Sequence, residues 1–519
     1  MLPQRIIGED KHIMTAITRI AKNTLALYFR QILIMLVSLY TVRVVLATLG
    51  AEDYGIYNVV AGVVTMFGFL SGAMATASQR YFSFEMGKEN NEGLEKIFSV
   101  TLTIYALLCL VIILFAETLG LWFINAKLVI PENRMLAANV VYQCAVLSFL
   151  FTVMTTPYMS SIIAHENMNV YAYVSIVEAF LKLVIVFVLK IGKTDKLILY
   201  GILLLCVAII NTGLYRFYCK RHYDECRFRL LWDGKLFREM ASYVGWNTFG
   251  SAVGVFKNQI VNILLNQFFG AVVNAARAVA SQVSSAVVSF SQNFSTAIRP
   301  QIIKNYAADE KDECEKLVFR GCKMTFFLMY VFTLPLVLEM PFVLKIWLVN
   351  PPENAALFAS LVLLDALIDS VSYPIMTLAQ ATGKIKLYQG VVGGILLLNL
   401  PVSFIVLKLG APAFSVMAVA ICITFFAFLA RLLIVKHLTD FSLRKFSLQV
   451  VFPMLMVTVC SAAVPVLLKI LIKNPLAEFF AVVFSSVVFC GVFIFLIGLN
   501  KQERNALVLK IKGRFCHVS

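Results

Sequence analysis

The sequence predicts an all-α, polytopic membrane protein, and three observations carry that prediction. Of 519 residues, 60% are hydrophobic and only 14% charged, whereas a soluble globular chain carries about 25% charged residues. Continuous apolar runs of about 20 residues, the length a helix needs to cross roughly 30 Å of hydrocarbon, recur from end to end. These runs are unbroken rather than alternating apolar and polar at every second position, which excludes a β-barrel.

Taken in order, about fourteen transmembrane helices are expected: 24–49, 54–84, 97–122, 134–163, 170–190, 197–219, 239–267, 274–300, 317–346, 355–381, 386–408, 412–437, 447–471 and 476–498. The first run is too long for the core of a signal peptide and lacks a small-residue cleavage site, so it reads as the first helix. The segment before it, with Arg5, Lys11, Arg19 and Lys22, is basic and is expected on the cytoplasmic side, and an even number of crossings returns the C-terminus there. The block "CKRHYDECRFRLLWDGKLFRE" (219–239) and the tail with Lys501, Arg504, Lys510, Lys512 and Arg514 carry much of the net charge of +16. That charge reads as topology and contact with anionic membrane lipid, with no nucleic-acid partner.

None of the eleven cysteines falls in an external loop, and no Cys/His spacing suggests a metal. The five histidines lie in or beside cytoplasmic segments, where a solvated role suffices. External loops are short throughout, which leaves no room for the acceptor-holding domain of a glycan polymerase or ligase.

Shifted by 220 residues against itself, the chain aligns "LGAEDYGIYNVVAG" (49–62) with "FGAVVNAARAVASQ" (269–282), and the register continues through Ser71/Ser291, Thr76/Thr296 and Glu95/Glu315. Six spans separate the copies, an even number, so they have one orientation and two parallel six-helix lobes are expected. The expected organisation is a cytoplasmic segment 1–23, an N-lobe 24–219, a basic linker 220–238, a C-lobe 239–437, two extra helices in 438–498 and a basic tail 499–519. In the elbow between spans 1 and 2, Gly50 is expected to permit a tight reversal, with Tyr54 and Tyr57 at the interface and Glu52 and Asp53 in water. Its counterpart is Gly270.

The stretch "LGAEDYGIYNVVAGVVTMFGFLSGAMATASQRYFSFEMGK" (49–88), following "NTLALYFRQILIMLVSLYTVRVVLA" (23–47), resembles the N-terminal signature of bacterial polysaccharide-transport proteins. These are the O-antigen and capsule-unit flippases of the multidrug/oligosaccharidyl-lipid/polysaccharide exporter superfamily. The resemblance implies a bacterial inner-membrane transporter, not an enzyme, with alternating access between two lobes around a central cavity. Its implied cargo is an undecaprenyl-diphosphate-linked oligosaccharide used for lipopolysaccharide O-antigen, capsule or exopolysaccharide. Other polysaccharide-assembly membrane proteins are implied partners. The alternative within the superfamily is a multidrug or cation antiporter.

Ionisable side chains inside a membrane span cost at least about 2.5 kcal/mol on insertion scales and are functional candidates. Arg30 and Arg43 in span 1, Lys257 in mid-span 7 and Arg277 in span 8 are expected to form a cationic cavity suited to a diphosphate. Arg30 and Arg277 also suit snorkelling to a headgroup. Asp365 and Asp369 share a face of span 10 at i and i+4, which suits either Na⁺ or proton coupling or pairing with a basic residue of a neighbouring helix. No other cofactor is implied. Glu178 and Lys182 read as an internal i, i+4 pair. Gly68/Gly72 and Gly250/Gly254 read as close-packing motifs, and Pro157, Pro335, Pro374, Pro401 and Pro453 as kinks. The nearly uncharged spans 13 and 14 suit either a groove for the polyprenyl tail or plain lipid contact.

Overall fold

The computed structural model describes residues 3–65, 67–126, 128, 130–191, 195–227, 233–348, 351–501 and 503–505. Part of the basic linker (228–232) and the end of the tail, with Lys510, Lys512, Arg514, Cys516 and His517, lie outside the described residues. All regular structure among the described residues is helical. The elements are α1 (Pro3–Thr65), α2 (Gly68–Gly87), α3 (Asn91–Ala126), α4 (Glu132–Ala164), α5 (Met168–Ile191), α6 (Lys196–His222), α7 (Gly234–Phe269), α8 (Ala271–Ala307), α9 (Lys311–Leu348), α10 (Ala355–Ala381), α11 (Ile385–Lys408), α12 (Ser415–Leu438), α13 (Leu443–Leu471) and α14 (Pro475–Gly498).

Among the described residues, 11 helices are long and apolar enough to cross a membrane. The expected crossings at 54–84, 239–267 and 274–300 are helical but fall outside that set. Their sequences explain why: α7 and α8 carry Asn, Gln, Ser and charged residues at nearly every turn, and α2 is rich in Gly, Ser and Ala.

The chain divides into two compact units, Ala21–Ala252 and Val253–Ser519 with Met1–Ile20. The division falls inside α7, and α13 and α14 belong with the second unit. Val450, Met454 and Val457 of α13 and Cys490 of α14 are buried in one continuous core with Phe327, Met329 and Tyr330 of α9. Beyond α14 the chain turns back onto α9, where Glu503 pairs with Arg320 at 3.2 Å and with the buried Lys323 at 3.2 Å. The core of the first unit lies in smaller clusters, one of which joins Ile56 and Val60 to Ala138, Val141 and Tyr142.

The 220-residue repeat is written in the backbone. Gly50 has φ 83, ψ 168 inside α1, and Gly270, before α8, has φ 80, ψ −172. Only glycine takes that region without strain. Glu89 and Asp309, also 220 apart, are both left-handed, with φ 54 and φ 59. The turns around them close alike, Asn90 N on Glu85 O at 3.0 Å and Glu310 N on Asn305 O at 3.0 Å. After α4 and α10 the same device recurs at Glu166 (φ 62) and Gly383 (φ 77), now 217 apart, so the second copy is three residues shorter between these two turns.

Prolines break helices where their missing N–H and ring clash fall. α10 is interrupted at Val371, three residues before Pro374, and α11 at Leu398, three before Pro401. In α9, between Pro335 and Pro341, Glu339 leaves helical geometry at φ −111, ψ 17, and Lys469 of α13 donates to the carbonyl of Leu338. Pro157 lies in an uninterrupted helix.

Two expectations need correction. A Cβ on Gly68, Gly72 or Gly254 would meet no atom within 4 Å among the described residues, so these glycines do not mediate close packing. Asp53, expected in open water, is instead gripped by Arg134, whose Nε donates to Asp53 Oδ1 at 2.8 Å and whose Nη1 donates to Asp195 Oδ2 at 2.6 Å. Asp195 also caps α6 by accepting from Leu197 N at 3.0 Å. Burial alone would push the Asp195 carboxyl up, but Arg134 and the helix-start N–H groups outweigh it and hold it below the usual range. The acidic elbow thus ties the α1 reversal to the starts of α4 and α6.

Candidate functional site

Within the second unit, α7, α8, α10 and α12 bring together charges that lie far apart in sequence. Lys257, on α7, donates from Nζ to Thr424 Oγ1 of α12 at 2.9 Å and to Asp365 Oδ2 of α10 at 3.3 Å. Both charged side chains are largely withdrawn from the surface, 16% and 23% exposed. Arg277, on α8, is buried, and its Nε donates to Asn262 Oδ1 at 2.9 Å. It lies within electrostatic reach of Asp365.

One turn along α10, Asp369 accepts from Arg431 Nη1 of α12 at 2.8 Å, and the same Nη1 donates to Ser372 Oγ at 2.8 Å. Arg431 is buried. Each acid has therefore found a basic partner on a neighbouring helix, the second of the two roles their spacing allowed. The i, i+4 relation that put both acids on one face of α10 also makes this possible.

Each ion pair offsets the cost of placing charge in an apolar slab, yet the group does not neutralise itself. Lys257, Arg277 and Arg431 are three cations against the two acids Asp365 and Asp369. A group of this kind suits an anionic ligand group with several acceptor oxygens.

Arg30 and Arg43 belong to the first unit. The guanidinium of Arg30 stands over the ring of Tyr171 at 4.6 Å, a cation–π contact, and Arg43 is exposed on α1. Lys182 and Glu178 pair at 2.7 Å, as their spacing indicated, and Asn211 adds a hydrogen bond to Glu178 at 3.2 Å.

Arg431 and Arg80 are buried cations that the sequence reading did not single out. Arg431 sits less than two turns before Lys436 and His437, and so resembles a flanking charge. Its signal was the i, i+4 acid pair on α10, which needs a partner. Arg80, buried in α2, packs its guanidinium against Tyr81 at 4.6 Å and Phe84 at 4.5 Å. The run "QRYFSF" places those rings beside it.

The profile of a family described as "Polysaccharide biosynthesis protein" matches residues 20–305, more than half of the chain. No curated protein matches the chain significantly. Among solved structures, a MATE P26A mutant superimposes with a TM-score of 0.70 at 11% identity, covering 82% of this chain and 96% of its own. An outward-facing multidrug resistance MATE family transporter of the MOP superfamily gives 0.68 at 12% identity, covering 82% and 96%. A MOP superfamily transporter from Pyrococcus furiosus, described as having a binding pocket of reverse polarity, gives 0.60 at 12% identity, again covering 82% and 96%. At such identities the likeness is one of fold. The family match and the helical fold agree: this chain belongs to the polysaccharide biosynthesis protein family and has the fold of the MATE transporters of the MOP superfamily.

Proposed function

We propose that this protein is a flippase that carries undecaprenyl-diphosphate-linked oligosaccharide units across the bacterial cytoplasmic membrane by alternating access, for surface polysaccharide assembly. The observation that carries the reading is the excess of cation over acid among Lys257, Arg277, Arg431, Asp365 and Asp369, inside the helices of a polysaccharide biosynthesis family member. A diphosphate presents a divergent set of acceptor oxygens, which Arg meets with a forked donor and Lys with a mobile point charge. Arg30 and Arg43, in the first unit, are further cations proposed to meet phosphate. With Asp369 held at 2.8 Å by Arg431, which Ser372 also anchors, Asp365 is the better seat for a coupling Na⁺ or proton. The termini are placed on the cytoplasmic side, where the basic segments fall.

The test is ligand-dependent stability of the purified protein. A ligand that binds only the folded state stabilises by RT ln(1 + [L]/Kd), about 2.7 kcal/mol at a hundredfold excess over Kd. Undecaprenyl diphosphate bearing a glycan should raise the melting temperature more than undecaprenol does, and equal effects would refute a phosphate-reading site. Orientation is tested separately. A cysteine at the exposed Glu52 should react with an impermeant thiol reagent on intact cells and one at the exposed Lys88 should not.

A second reading, a multidrug or cation antiporter, has the shared fold in its favour. The net positive charge of the membrane network opposes it, because a cationic cargo would be repelled there.

A further inference from the structure

The two acids on α10 are not equivalent. Asp369 is engaged at 2.8 Å by an arginine that Ser372 holds in place. Asp365 has a looser hold: of the two contacts made by Lys257 Nζ, that to Thr424, at 2.9 Å, is shorter than that to Asp365, at 3.3 Å. Asp365 Oδ1 is buried and accepts no hydrogen bond among the described residues. Arg277 gives its Nε hydrogen bond to Asn262 rather than to Asp365. The groups around Asp365 are Lys257 from α7, Arg277 from α8, Thr424 from α12 through Lys257, and Tyr373 and Asp369 on α10 itself.

A carboxylate bonded through one oxygen, with the other desolvated and unbonded, recovers only part of what burial takes from it. A phosphate at the same place would offer more charge and more acceptor oxygens to the same Lys and Arg. We infer that Asp365 is a tethered counter-anion, whose carboxylate holds the Lys257–Arg277 subsite in the substrate-free protein and is displaced when a substrate phosphate takes the place. This rests on the anionic substrate proposed above, and it adds what occupies the cations between transport events. An empty cationic pocket in a membrane would be costly or would capture stray anions. A weak intramolecular acid keeps the cations paired and sets a threshold that only a multivalent anion passes.

The inference predicts a gain of affinity on removing an acid. In the purified full-length protein, Asp365→Asn should bind undecaprenyl diphosphate about tenfold more tightly than wild type, a change equivalent to about 1.4 kcal/mol. Lys257→Gln should lose the preference for undecaprenyl diphosphate over undecaprenol, and Lys257→Gln/Asp365→Asn should gain nothing over Lys257→Gln. Ligand-free Asp365→Asn leaves Lys257 without a counter-charge and should melt below wild type, with the diphosphate raising its melting temperature by more than it raises that of wild type. Asp365→Ser provides the same comparison if the Asn variant does not fold. Equal or weaker diphosphate binding by both Asp365 variants, with the Lys257 dependence intact, overturns the tethered counter-anion and leaves the substrate reading standing. Equal binding of diphosphate and polyprenol by wild type sinks the substrate reading first, and this inference with it.

Discussion

At Gly50 and Gly270 the two units share a rare backbone conformation, yet from that common point their charges are distributed in opposite ways. In the register of the repeat, Lys257 and Arg277 correspond to Val37 and Tyr57, and Asp365 and Asp369 to Ser148 and Thr152. Ser148 and Thr152 donate back to their own helix, to Cys144 O at 2.7 Å and Ser148 O at 2.9 Å, and Tyr57 packs edge-on against Tyr200 at 4.8 Å. Conversely the Asp53–Arg134–Asp195 clamp of the first unit has no copy in the second. Asp53 corresponds to Val273, Asp195 to Pro412, and residues 351–355, which replace the Arg134 segment, contain no basic residue. One unit is fastened at its elbow and has Val, Tyr, Ser and Thr at the places where the other carries its ionic network. A duplicated backbone has kept its turns and divided its chemistry.

The contrast is broken most directly at Lys257. Lys257→Ala should abolish complementation of a strain lacking its own flippase and cost about 3 kcal/mol of stability, because Asp365 is left buried and unpaired. Lys257→Arg should retain part of the activity, and Val37→Ala, at the corresponding place, should leave transport intact. Normal complementation by Lys257→Ala would show that the second unit's charges are not the working ones.

Transplanting the network tests the register itself. Ser148→Asp puts an unpartnered acid into α4 and should cost at least about 2.5 kcal/mol. Adding Val37→Lys should recover part of that loss, as judged by thermal unfolding. A double variant no more stable than the single would show that the two positions do not meet as Lys257 and Asp365 do.

A smaller effect is expected at the clamp. Arg134→Ala removes charged hydrogen bonds from two acids that are only partly buried, so about 1–2 kcal/mol should be lost while transport persists. Because the Asp195 pKa is held down in the folded protein, the clamp's stabilisation is full above the ordinary carboxylate value of about 4 and lost as pH falls through the depressed one. Wild type should thus lose stability on acidification more steeply than Arg134→Ala, and parallel acid-unfolding curves would contradict the clamp. Least of all should change at Gly72 and Gly254, where Ala has open space and should shift stability by no more than about 0.5 kcal/mol.

The fold class and helix order were legible because hydrophobic run length is a one-dimensional signal. The repeat was legible too, and Gly50/Gly270 marked it because a positive φ constrains the residue type. The polar helices α7 and α8 carry the hydrophobic run-length signal more weakly than the eleven apolar helices. Pairing was less accessible. The i, i+4 acids announced that α10 had a charged face, but whether Lys257 or Arg431 would meet them depends on how four helices pack, which no local pattern encodes. Nothing local to Arg134 announces its role, because its two partners lie 81 and 61 residues away.

The link between Glu503 and α9 has a consequence for the making of the protein. Lys323 is buried in the finished fold, and its acid lies 180 residues further along the chain. At a synthesis rate of about 5–20 residues per second, α9 must wait roughly 10–40 s after entering the membrane for the carboxylate that balances it. A chain that ends before residue 503 would lack the carboxylate that pairs Arg320 and Lys323.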